Sequence, residues 1–212
     1  DLFSPRHAEI GAVRLRAEGL QRGNKVKNVS FEVRAGEVLG FAGLVGAGRT
    51  EALRLVFGAD KMDAGEIFLD GKKVSISSPA DALRLGIGLL PEDRKREGVL
   101  LKMPIRVTAT LSSLKNYTNG IGRIAFGKEK QAVEETCAAL KLKCRSIEQN
   151  TSELSGGNQQ KVALSKLLLA GSSVLILDEP TRGIDVGAKV EIYQLINQLA
   201  EEGKSIILIS SE

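Results

Sequence analysis

Three stretches of this 212-residue sequence carry residue types and spacings suited to phosphate chemistry. The first is Gly43-Leu44-Val45-Gly46-Ala47-Gly48-Arg49-Thr50-Glu51. An apolar run over 37–42 precedes it and reads as a buried strand. Leu53, Val56 and Phe57 follow at helical spacing, and Gly58 supplies a stop. A glycine-rich turn between strand and helix lets backbone N–H groups converge on phosphate oxygens, and the helix N-terminus adds a favourable dipole. The spacing is G-x-x-x-x-G-K-[ST] with one deviation, Arg49 in place of lysine. The second stretch is Val174-Leu175-Ile176-Leu177-Asp178-Glu179-Pro180. Four apolar residues make a strand buried on both faces. Its two carboxylates emerge at the C-terminal edge, where open α/β sheets bind ligands. With a phosphate loop upstream, Asp178 is placed to hold Mg²⁺ through water and Thr50 to coordinate it directly. Glu179 is then the residue that polarises attacking water. The third stretch, Leu154-Ser155-Gly156-Gly157-Asn158-Gln159-Gln160, opens a helix whose two glycines permit close backbone approach by an anion. Each stretch has a plainer reading, as a glycine turn, a strand end capped by solvated acids, and a serine N-cap. The coincidence of all three in one order argues for the chemistry.

The elements that must position these residues follow from periodicity. Val13 and Leu15 alternate with arginines in a strand over 12–17, and Val29, Phe31 and Val33 alternate in a second. Residues 66–69 and 72–74 read as a hairpin about Asp70-Gly71. A short helix over 79–85 precedes a strand over 87–90, ended by Pro91. From Glu92 to about Glu153 the sequence is helical and polar, with turns at Asn119-Gly120 and Gly122 and a helix from Lys128 that packs Val133, Cys137 and Leu140. The alternating pattern then resumes with a helix over 157–170, the Val174 strand, a helix over 187–201 and a strand over 205–209. This predicts α/β architecture divided as a linker over 1–11, a core over 12–91 and 156–212, and an inserted helical subdomain over 92–155. The stop at Glu212, directly after a strand, predicts a piece of a longer chain.

Composition agrees with a packed α/β domain. Apolar residues make up 42% and charged residues 26%, which excludes disorder. Aromatics are only 4% and Trp is absent, so the core rests on Leu, Ile, Val and Ala, as in a buried parallel sheet. The net charge of +4 comes with acids interleaved among the basic groups, which gives a nucleic-acid face little support. Cys137 and Cys144 fit no zinc spacing and predict a reducing compartment. The sole histidine, His7, lies in the expected linker, so no histidine base is available elsewhere. No apolar run is long enough to span a bilayer and no signal peptide opens the sequence, which predicts a cytoplasmic protein, peripheral if it serves a membrane.

The order and wording of the three stretches resemble the nucleotide-binding domain of ABC transporters. Residues 43–50 are similar to its Walker A loop, 154–159 to its signature motif and 174–179 to its Walker B strand. Ile184-Asp185 is similar to its D-loop. Together with Pro91-Glu92-Asp93-Arg94-Lys95-Arg96-Glu97-Gly98, the wording resembles the second, C-terminal ATPase domain of fused two-domain bacterial sugar importers of the ribose, galactose, xylose and arabinose type. The resemblance implies a P-loop NTPase fold: a RecA-like, mainly parallel sheet with flanking helices, an antiparallel β subdomain and the inserted helical subdomain. It implies ATP and Mg²⁺ as cofactors, and nucleotide held by Gly43, Val45, Gly46, Ala47, Gly48, Arg49, Thr50 and Glu51. Thr50 and Asp178 would serve the metal and Glu179 catalysis. Leu154, Ser155, Gly156, Gly157, Asn158 and Gln159 would face the ATP of another domain.

Departures from the family pattern are equally informative. Arg49 keeps the charge of the usual lysine but is a larger planar fork, which should not sit unchanged between the β- and γ-phosphates. Glu92 stands where the family has the Q-loop glutamine, and Ser211 where it has the switch histidine. No aromatic lies between Leu20 and Val29 to stack adenine. In the family two domains dimerise head to tail, each ATP lying between one Walker A loop and the other signature. The expectation is therefore a weak site in this domain and a signature that completes the site of an upstream ATPase domain in the same polypeptide. The implied partners also include membrane permease subunits and, indirectly, a periplasmic sugar-binding protein, with the domain on the cytoplasmic face of the bacterial inner membrane and no nucleic acid. Arg94 to Arg96 and Leu100 to Ile105 are the expected surface toward the membrane subunit. Two other functions compete: a soluble ABC ATPase acting on nucleic acid, and a regulatory nucleotide-binding module.

Overall fold

The computed structural model describes residues 8–43 and 46–211. Two four-stranded sheets form its frame. The antiparallel sheet has the order β2-β1-β4-β5, built from β1 (Val13–Arg22), β2 (Val26–Arg34), β4 (Ala64–Leu69) and β5 (Lys72–Val74). The parallel sheet has the order β3-β8-β7-β6, from β3 (Val38–Phe41), β6 (Ile87–Leu90), β7 (Val174–Asp178) and β8 (Ser205–Ile209). Helices α1 (Arg49–Val56), α2 (Pro79–Arg84), α3 (Ile105–Thr110), α4 (Phe126–Ala139), α5 (Gly156–Leu169) and α6 (Val186–Glu201) complete the fold. Short π- and 3₁₀-helical turns occupy 94–98, 111–117 and 151–153.

β7 explains the division of the core. All five of its residues are buried, and successive side chains face opposite sides. Val174 and Ile176 join a hydrophobic cluster with α1 and the antiparallel sheet, including Leu15, Leu53 and Ile67. Leu175 and Leu177 join a second cluster with α5, α6 and the segment over 99–154, including Ile105, Val133 and Leu164. A strand buried on both faces reads as an unbroken apolar run.

The elements differ from expectation mainly at their ends. β1 reaches Arg22 because it pairs with β2 on one edge and β4 on the other, which carries it past the apolar alternation. α4 begins at Phe126 and α6 at Val186, where Asp185 caps the helix by accepting from the Ala188 N–H at 2.9 Å. The 70–71 hairpin turns through Asp70 at φ 47° and Gly71 at φ 76°, both in the left-handed region that tight hairpins require. Of the linker expected over 1–11, residues 1–7 lie outside the described residues, and Gly11 donates to the Ala35 carbonyl at 2.9 Å. Among the described residues no helix is long and apolar enough to cross a membrane.

Candidate functional site

The glycine-rich loop leads from the C-terminal end of β3 into α1. Leu44 and Val45, and with them the expected contact of Val45, lie outside the described residues. Gly48 has φ 80°, and a Cβ there would stand 2.4 Å from the Lys25 carbonyl oxygen, so only glycine fits. Gly46 to Glu51 line one cleft with Glu92, Asp178 and Glu179. The structure thus brings together residues separated by more than a hundred positions, and β7 with the turn that follows it provides the two acids.

Arg49 does not reach along the cleft as the pattern's lysine would. Its guanidinium donates to the backbone carbonyls of Phe41, at 3.4 Å, and Ser210, at 3.2 Å. It ties the start of α1 to the ends of β3 and β8. Ser211, next along from Ser210, is exposed at the same edge. Glu92, which lines the cleft, forms an ion pair with Arg182.

Asp178 is 3% exposed. Its Oδ2 accepts from the Thr50 hydroxyl at 2.9 Å, and its Oδ1 is buried without a partner among the described residues. Burial pushes its carboxyl above the usual range; the Thr50 bond opposes this, and the charges of Glu179 and Glu51 add to it. A hydroxyl and an under-satisfied buried carboxylate oxygen, side by side, form a donor set suited to a hard divalent cation. Among the described residues no group of three His, Cys, Asp or Glu could hold a metal alone. A cation at Thr50 and Asp178 would therefore take its remaining ligands from water and phosphate, as Mg²⁺ does. Glu179 sits at φ 46°, unusual for a non-glycine residue, with its N–H bonded to the Ile209 carbonyl at 3.0 Å. That turn takes Glu179 out of the strand and into the cleft, and such strain collects at working sites.

The signature-like stretch is divided by burial. Ser155 is exposed and caps α5, its hydroxyl accepting from the Asn158 side chain at 3.0 Å. Gly156 and Asn158 are part-exposed, so the surface of this stretch consists of Ser155, Gly156 and Asn158. Leu154, Gly157 and Gln159 turn inward; the Gln159 amide donates to the Leu154 carbonyl at 3.2 Å. Both glycines are dictated by close approach. A Cβ on Gly157 would stand 2.6 Å from the Ala188 Cβ, and one on Gly156 would stand 2.8 Å from an Arg94 guanidinium nitrogen. Asp185 is exposed at the start of α6, beside this stretch.

Two residues escaped the sequence reading. Nothing in the sequence distinguishes Arg182, and Arg94 reads there as docking surface. Arg94 is only 8% exposed, and Ile105, expected on the same surface, is fully buried. Lys95, Arg96, Leu100 and Met103 remain exposed. The 94–96 charge run gave no sign that its first member would find two carbonyl partners far along the chain.

Comparison with known proteins places this cleft in a familiar setting. Residues 26–182 match the family described as ABC transporter. The chain is 55% identical over 202 residues to a putative ribose/galactose/methyl galactoside import ATP-binding protein of Rhizobium meliloti, covering 95% of this chain and 40% of that protein. It is 47% identical over 212 residues to the ribose import ATP-binding protein RbsA of Chromobacterium violaceum, covering 100% and 42% respectively. The chain thus spans about 40% of the length of these curated relatives. A nucleotide-free ATP-binding cassette from an ABC transporter superposes with a TM-score of 0.79 at 21% identity, covering 95% of this chain and 82% of that one. A post-hydrolysis cassette bound to ADP and Pi gives 0.76 at 22%, covering 93% and 88%, and both share the fold. The family match extends from β2 through Asp178 and Glu179 to Arg182, and the chain belongs to the ABC transporter family.

Proposed function

We propose that this chain is an ATPase domain of a carbohydrate importer, coupling ATP binding and hydrolysis to monosaccharide uptake, and that its own nucleotide site is the weaker of two. The observation that carries the second part is Arg49, whose guanidinium is committed to the Phe41 and Ser210 carbonyls. Glu92 and Ser211 at the glutamine and histidine positions point the same way. In this reading the backbone of Gly46 to Thr50 cradles phosphate, and Thr50 with Asp178 would hold Mg²⁺, which when bound neutralises phosphate charge. Glu179, turned into the cleft, orients water. Ser155, Gly156 and Asn158 face the nucleotide of an upstream ATPase domain of the same polypeptide and complete its site. Residues 92–155 act as an inserted helical subdomain between the core over 12–91 and 156–212, and 1–11 as the interdomain linker. Permease subunits and, through them, a periplasmic sugar-binding protein are the partners, at the cytoplasmic face of the bacterial inner membrane.

Steady-state ATP turnover of the polypeptide as its gene encodes it tests this reading. Ser155→Asp, which puts a negative charge on the exposed surface while keeping the helix cap, is expected to abolish turnover and Arg49→Ala to leave most of it. The opposite pattern would reverse the assignment of the two sites.

A further inference from the structure

Arg94 is a buried cation with an unusual set of partners. Its guanidinium donates to the carbonyl oxygens of Arg182, at 2.8 Å, and Gly183, at 3.2 Å. Its Nε is buried without a partner, and no carboxylate pairs with it among the described residues. Burial lowers its pKa from the ordinary arginine value. Elsewhere in the fold, Arg106 pairs with the buried Glu129 at 2.7 Å and Lys161 with Glu191 at 2.6 Å. The neighbouring Asp93 charge offsets only part of this burial, and a guanidinium hydrogen-bonded to carbonyls rather than to a carboxylate is a poor route to stability, since an apolar side chain of similar volume avoids the desolvation. The contact contributes position rather than stability.

Three segments meet at this one side chain. Arg94 opens the π turn over 94–98, directly after Glu92 and Asp93. The carbonyls it holds belong to the 181–185 loop, between the acids that end β7 and Asp185, the cap of α6. Gly156, at the first turn of α5, lies so close to the guanidinium that a Cβ would stand 2.8 Å from it. The same Cβ would stand 3.2 Å from Ile184 and 3.3 Å from the Gly183 carbonyl oxygen. The exposed Glu92–Arg182 ion pair spans the same two segments and is screened by solvent. The buried fork is the part that fixes geometry, because its two donors grip consecutive carbonyls at once.

We propose that Arg94 is a positioning residue that locks the 181–185 loop against the N-terminus of α5, so that Asp185 and the exposed Ser155–Gly156 surface are presented as one rigid unit. The segment after β6 carries the lock. A shift of residues 92–98 therefore moves both halves of the surface together, and neither half moves alone. This rests on the reading that Ser155 and Gly156 complete another domain's ATP site, where a displacement of about 1 Å costs on the order of 10²-fold in rate.

The test uses the polypeptide as its gene encodes it, with kcat and KM for ATP, binding of a fluorescent ATP analogue and thermal unfolding measured side by side. Arg94→Met is expected to keep Tm and analogue binding while kcat falls roughly 10²-fold with KM changed by less than about threefold. Arg94→Lys, one point donor in place of a fork, is expected to recover little of that loss. Should Arg94→Met not fold, Arg94→Gln is read in the same way. A kcat within about threefold of the parent in the folded variant overturns the proposal. So does a fall in kcat that tracks a fall in Tm and disappears on cooling, which is the mark of a merely structural role. Ser155→Asp, an exposed position where Asp also caps the helix and which does not touch Arg94, keeps the two ideas apart in the same preparation. If it leaves turnover intact the composite-site reading fails; if it abolishes turnover and Arg94→Met does not, Arg94 alone is misassigned.

Discussion

Replacing Asp178 with Asn should make the ligand-free chain more stable and at the same time prevent its stabilisation by Mg²⁺-ATP. Asp178 is 3% exposed, one oxygen bonded to Thr50 at 2.9 Å and the other buried with no partner among the described residues. Glu179 and Glu51 act on it as like charges, which the Arg49 charge offsets in part. A buried, unsatisfied polar atom costs about 1–3 kcal/mol, and more when charged. Asn is nearly isosteric and neutral and keeps an acceptor for Thr50; its NH2 takes the unpartnered position, so the gain comes from removing the buried charge and the repulsion, not from satisfying that position. The expected gain is about 1–3 kcal/mol. For a chain of 212 residues each kcal/mol corresponds to roughly 2–4 °C, so Tm should rise by roughly 2–12 °C. Thermal unfolding is to be followed by circular dichroism, first with chelator and then with saturating Mg²⁺-ATP. The parent should gain several degrees from Mg²⁺-ATP, and Asp178→Asn should gain much less because the carboxylate oxygen that would serve the cation is gone. A lower Tm for Asp178→Asn in chelator, or an undiminished response to Mg²⁺-ATP, would show that the orphaned oxygen is not the liability and cradle described above.

Three further outcomes follow from named contacts. Arg49→Lys, with a side chain that cannot fork between the Phe41 and Ser210 carbonyls, should bind a fluorescent ATP analogue about tenfold more tightly, as loss of one or two weak bonds implies. Asp60 is held below the usual carboxylate range chiefly by its hydrogen bond with Arg54, so its contribution is present above the unfolded value near 3.9 and lost as pH falls toward the depressed folded value. Asp60→Asn should therefore cost about 1–2 kcal/mol in urea unfolding at pH 7, with the difference from the parent closing as the buffer is acidified below about pH 4. Arg106→Ala leaves Glu129, 1% exposed, with only the Thr110 hydroxyl, and should cost about 3–5 kcal/mol, whereas the double change Arg106→Met, Glu129→Met should recover most of it in the same unfolding assay.

What could be read from the sequence, and what could not, divides along the distance between partners. The β7 run and the β8 run were legible because burial on both faces leaves only apolar residues, and the Asp70-Gly71 hairpin because two consecutive left-handed residues need that chemistry. The glycine loop and the Asp178–Glu179 pair were legible as types in order. Their union in one cleft required only that the sheet be parallel. The reach of β1 to Arg22 was not legible, since pairing on two edges rather than side-chain alternation sustains it. Nor was the direction of Arg49, whose acceptor at Ser210 lies 161 residues away. Arg94 is the sharpest case: a charge in a charged run reads as solvated, and its burial comes from carbonyls 88 and 89 residues further on.

The alternation along β7 has a consequence for how the molecule loses its order. Leu175 and Leu177 serve one hydrophobic cluster, Val174 and Ile176 the other, and β6 and β8 divide in the same way, so three strands of the parallel sheet form the wall between them. Melting either cluster strips one face of that wall and exposes the backs of residues the other cluster needs. Heat or denaturant should therefore meet one cooperative transition, in which amides on either side of β7 become exchangeable together.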